Sequence, residues 1–96
     1  MKTRNEYIHE MGTTLRHWST QLGELQTRIR NGEAERIDRL TTDIVALKAK
    51  QKAYQQHMKI VSDASEATMA DTRLGAERMA AEFTADFAMT ERRLSA

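Results

Sequence analysis

The chain has 96 residues, 15 basic and 14 acidic side chains, a formal net charge of +1, no cysteine and no proline. That excludes disulfide and thiolate-metal scaffolds, and a charge this near neutral gives no electrostatic ground for nucleic-acid binding. The predominance of Ala, Leu, Glu, Arg, Lys, Gln and Met with only four glycines predicts long helices and no sheet.

The first element starts at Thr3, which can cap a helix, with Glu6 three residues on as in a capping box. The amino terminus is charged instead of apolar, so no standard export signal is expected, and no uncharged run approaches the roughly 20 residues of a membrane span. A cytoplasmic location is the default expectation. Ile8, Met11, Leu15, Trp18, Leu22, Leu25 and Ile29 then recur at steps of three and four, which makes a heptad seam on one face of a helix. Such a stripe needs another helix to cover it. These seven residues are the candidate interface, either with a second copy of the chain in a homo-oligomer or with a partner helix. Gly12, Gly23 and Ala34, eleven residues apart, form a line of small residues. It reads either as a place for close helix approach or as weak helix positions.

At Asn31 and Gly32 two readings stand. Arg28 and Arg30 before the pair and Glu33 and Glu35 after it suit a helix end followed by a helix start. The step from Ile29 to Ile37, two steps of four, equally suits a stutter in one continuous helix. The heptad resumes with Leu40, Ile44, Leu47, Tyr54, Met58 and Val61, and Gln51 is the one polar seam residue. Lys48, Lys50 and Lys52 read as a solvated face. Ser62 and Asp63 mark a turn, with Asp63 and Glu66 at capping-box spacing, and a last helix presents Met69, Ala76, Met79, Ala80, Phe83, Phe87 and Leu94. Residues 1–32 and 33–60 each carry +2 and residues 61–96 carry −3, so the acidity of the last segment has its expected partner inside the chain.

Met1, Lys2, Thr3, Arg4, Glu6, Tyr7, Leu15, Trp18 and Leu22, followed by Ser62, Asp63 and Ala64, resemble a family of small, uncharacterised bacterial coiled-coil proteins. The resemblance is most specific over roughly the first 30 residues. It implies one long helix up to the turn, a pattern from which Asn31 and Gly32 depart. It also implies a tryptophan in the last helix, where this chain has Phe83 and Phe87.

No catalytic, cofactor or metal motif emerges, and no small-molecule ligand is expected. Glu6 and His9 make a single Glu-x-x-His, whereas a carboxylate-bridged site needs two such motifs and two further glutamates. Arg36, Ile37, Asp38, Arg39 and Leu40 are only briefly similar to the first helix of chorismate mutase, an enzyme that gathers several buried cations around two carboxylates. An amphipathic last helix lying on a lipid surface is a further alternative, opposed by its acidity.

The expectation is therefore an all-α single domain over residues 1–96. Its favoured form is an antiparallel coiled-coil hairpin with a helix over about 4–61, a turn at 62–63 and a helix over about 64–94. The alternative is a three-helix antiparallel bundle broken at Asn31 and Gly32. The expected function is a non-catalytic self-association or protein-interaction module acting through the seam.

Overall fold

A computed structural model describes residues 2–32 and 37–95, with the side chains of Ile37, Asp38 and Ser95 not described. Three helices form an all-α bundle: α1 (Arg4–Arg30), α2 (Ile37–Asp63) and α3 (Glu66–Ser95). They run up, down and up within 49 × 19 × 18 Å. No helix among the described residues is long and apolar enough to cross a membrane.

The start of α1 is as expected. Thr3 is extended at φ −69° and ψ 165°, and its hydroxyl accepts the Glu6 amide at 3.1 Å. The end of α1 corrects the favoured hairpin. A single helix over 4–61 does not form, because the Asn31 amide donates back to the Thr27 carbonyl at 2.9 Å, the Gly32 amide to that of Ile29 at 3.2 Å, and Gly32 sits at φ +79°. This left-handed residue just past the helix is a glycine-type carboxyl cap. Arg28 and Arg30 occupy the last turn, where the helix dipole favours cations. Ala34, the expected helix start at Glu33 and Glu35, and Arg36 lie outside the described residues.

The energetic reason for the turn is the seam. Folding α1 back on α2 buries Met11, Trp18, Leu22, Leu25 and Ile29 to 9 % exposure or less. Each such side chain contributes roughly 1.5–3 kcal/mol on full burial. An unbroken helix would leave them in water and would also carry Gly32 in its interior, at a cost of about 1 kcal/mol.

The second turn lies two residues beyond the expected 62–63. Val61 is fully buried, so α2 continues to hold it and ends at Asp63. Ser65 replaces Asp63 as the residue that organises the start of α3. Its carbonyl accepts the Thr68 amide at 3.1 Å, and its hydroxyl meets the Thr68 hydroxyl at the same distance.

The core is one apolar cluster drawn from all three helices, including Leu40, Ile44, Leu47 and Tyr54 of α2 and Ala76, Phe83, Phe87 and Leu94 of α3. Polar contacts set the register. Gln51, the polar seam position, donates to the Ser19 hydroxyl at 2.6 Å and so joins α2 to α1. Lys50 pairs with Asp86, and Arg93 with Asp43 at 2.7 Å, joining α2 to α3. The internal charge complementarity read from the sequence is thus partly realised. Gly75 admits the imidazole of His57, which a Cβ would meet at 3.2 Å, and His57 Nε2 lies 2.8 Å from the Thr72 carbonyl.

The line of small residues has no packing role at the two described positions. A Cβ on Gly23 would meet nothing within 4 Å, and one on Gly12 would meet only the Arg16 side chain of its own helix at 3.6 Å. Two alanine substitutions should therefore move stability in opposite directions. Gly23→Ala, inside α1, should stabilise by about 0.5–1 kcal/mol. Gly32→Ala is uncrowded but must hold a positive φ, and should destabilise by about 1 kcal/mol or more. Thermal melts of the two variants against wild type check both signs.

Candidate functional site

The structure places the whole predicted interface inside the bundle. Met11, Trp18, Leu22, Leu25 and Ile29 are buried, and Ile8 and Leu15 are half-buried against the same core. The seam is covered from within by α2 and α3. Among the described residues the large apolar side chains left exposed are Val45, Ile60, Leu74 and Met89, and none of them lies on α1.

What remains open on α1 is its boundary with α3. α2 packs closely along both of the other helices, whereas α1 and α3 approach each other at the backbone in few places. Large rings bridge the separation. Trp18 stacks on Phe83 with ring centroids 3.9 Å apart and an interplanar angle of 15°, and Phe83 continues to Phe87 at 6.1 Å. Tyr54 of α2 supports the indole from below at 4.7 Å. Above this aromatic floor is a cleft of about 200 Å³ whose polar margin includes His17, Gln21 and Glu91. The rings of Trp18, Phe83 and Phe87 are 1–7 % exposed, so they belong to the core and present only a little surface to the cleft.

Sequence periodicity marked Trp18, Phe83 and Phe87 as stripe residues without showing that they meet. The rise of α1 and α3 in parallel puts residue 18 level with residue 83, and also Tyr7 level with Arg73, whose guanidinium lies 4.7 Å from the Tyr7 ring centroid. The Tyr7 phenol donates to the Arg73 carbonyl at 3.2 Å, and burial pushes its pKa above the ordinary value.

The other candidates are not assembled into sites. Glu6 and His9 are exposed, and no three His, Asp or Glu residues among the described ones lie together as metal ligands. Arg39 is exposed. Of the three lysines on α2, Lys50 is engaged by Asp86 while Lys48 and Lys52 face solvent. The α3 stripe proposed for lipid contact, from Met69 to Leu94, lies in the core or packs against it.

Compared with known proteins, the chain matches no family model, no curated protein and no solved structure.

Proposed function

We propose that this chain is a non-catalytic helical-bundle module that works by protein–protein contact, with the cleft between α1 and α3 as its docking surface. The observation that carries the reading is the aromatic floor of Trp18, Phe83 and Phe87, left beneath a cleft because these two helices meet through side chains instead of backbones. A cleft of about 200 Å³ takes one large apolar anchor side chain from a helix of a partner protein. The rim of His17, Gln21 and Glu91 then supplies polar contacts around it. The interaction role read from the sequence is retained, but its surface moves from the seam to the cleft. A cytoplasmic setting is part of the same proposal.

Photo-crosslinking in the cell of origin tests it, with the photoreactive residue placed at Gln21 on the rim and, as control, at exposed Lys52. Ala88 lines the cleft, so Ala88→Trp should fill it without disturbing the helices. Discrete adducts are expected from position 21, few from position 52, and a loss of the position-21 adducts in Ala88→Trp with an unchanged melting temperature. Adducts that persist in a folded Ala88→Trp protein would overturn the assignment of the cleft.

A further inference from the structure

His17 of α1 and Thr84 of α3 line the cleft from its two sides. Seven residues make close to two turns of helix, so positions one heptad away lie on the same edge, about 10 Å along the axis. On α1 those positions are Glu10 and Glu24, and on α3 they are Glu77 and Glu91. The two helices rise in parallel with Trp18 level with Phe83. Glu10 therefore comes close to the level of Glu77 at one end of the cleft, and Glu24 to that of Glu91 at the other. All four side chains are exposed, and together they frame the cleft with carboxylates. The Tyr7 phenol senses two of them: burial is the main cause of its raised pKa, and Glu77 and Glu10 add to it, one from each helix.

The cations on this side are committed within the chain. Lys2 pairs with Glu10 at 2.7 Å, Arg73 donates to the Lys2 carbonyl at 3.0 Å and lies over the Tyr7 ring, and Arg28 is engaged as well. Arg92 is next to Glu91 in sequence, but at nine residues from Phe83 it is half a turn out of phase with the buried face and points away from α1. Glu24, Glu77 and Glu91 make no hydrogen bond or ion pair among the described residues. The charge offered to an incoming chain is thus negative, although the whole chain carries +1. Charges on the rim of a docking surface select the partner by complementarity more than they add to affinity.

Given the docking role of the cleft, on which this rests, we propose that the partner's docking segment is a basic amphipathic helix. It lays one large apolar side chain in the cleft and presents lysine or arginine one heptad to either side, against Glu24 and Glu91 at one end and Glu77 at the other. A helix suits the groove because the carboxylates repeat at helical spacing along two parallel helices, and a third helix laid between them carries its cations at the same repeat. The same carboxylates repel a nucleic acid or an anionic lipid surface.

Fluorescence anisotropy tests this with two labelled, alanine-rich helical peptides that share a central phenylalanine. One carries paired lysines one heptad before and after that residue, the other glutamates at the same places. In low salt the lysine peptide should bind saturably and about tenfold or more tighter than the glutamate peptide, and the difference should shrink as salt is raised. The combined variant Glu24→Gln, Glu77→Gln and Glu91→Gln, changed only at exposed positions, should weaken the lysine peptide roughly tenfold and leave the glutamate peptide no weaker. Ala88→Trp should abolish binding of both. Equal binding of the two peptides, lost in Ala88→Trp, would keep the cleft as docking surface and overturn the basic partner. Lysine-peptide binding that survives in Ala88→Trp would place the attraction outside the cleft and overturn the proposal, as would the absence of saturable binding of that peptide. The cross-links at position 21 are read without either peptide, so failure of the basic helix and failure of the cleft are told apart.

Discussion

Leu22→Asp should abolish the cooperative thermal transition at every protein concentration. Leu22 is 3 % exposed, and the core around it is an apolar cluster. The substitution removes the buried leucine, worth about 2–5 kcal/mol in a typical core. It also asks an aspartate to ionise without a partner or to be buried neutral, at several kcal/mol more. A small domain has roughly 5–15 kcal/mol in total, so the sum is comparable with everything that holds this bundle together. Circular dichroism melts over a wide concentration range provide the check. A variant that stays folded and helical but loses an oligomeric form would mean that the seam binds another chain.

Phe83→Ala should be the most damaging single truncation in α3. The ring is 1 % exposed, and it stacks on Trp18 on one side and reaches Phe87 on the other. Removing it should cost about 3–5 kcal/mol, some of it from the cavity left between helices whose backbones are too far apart to close over it. For a chain of this size the melting temperature should fall by roughly 12 °C or more. Trp18 is the chain's only tryptophan, so its fluorescence reports the same change: the indole should become more solvent-accessible in Phe83→Ala even where the variant is still folded. An unchanged melting temperature and emission would show that Trp18 and Phe83 do not share a core.

The two results bear on what could be read from the residues in order. The 8–29 apolar stripe, the Thr3 cap and the helical character of most of the described residues are local properties, written in residue spacing within a few turns, and the structure has all three. The break after Arg30 was not decidable by the same means. A step of two times four from Ile29 to Ile37 keeps the apolar phase whether the intervening residues are helical or turn. What separates the cases is the sign of φ at Gly32, and both a helix interior and a left-handed cap accept glycine. The energetic weight that decides it comes from burial of side chains as far apart as Met11 and Phe83, which no local window contains.

The sites follow the same division. The seam residues were found, but their partner was misplaced, because coverage by α3 depends on the turn. Once the chain turns at Gly32, α3 lies parallel to α1 and its residues sit level with those about 65 positions earlier, as Trp18 with Phe83 show. That offset also brings Arg73 to Tyr7 and Lys2. Glu24 and Glu91 carry no motif and stand 67 positions apart, so only the assembled bundle shows that they frame one cleft. A three-helix threading of the two aromatic clusters would have been the usable signal, since it aligns the lone tryptophan of the first stripe with the paired phenylalanines of the last.

Small-angle X-ray scattering over a dilution series tests the central claim, that one chain covers its own 8–29 seam, most directly. The three-helix bundle predicts a particle of monomer mass with a radius of gyration near the 15.4 Å of the Cα trace and a longest dimension near 49 Å, the same at every concentration. A continuous helix over residues 4–61 would be about 87 Å long at 1.5 Å per residue. A rod-like profile of that length, or a mass above monomer that falls on dilution together with helicity, would contradict the account.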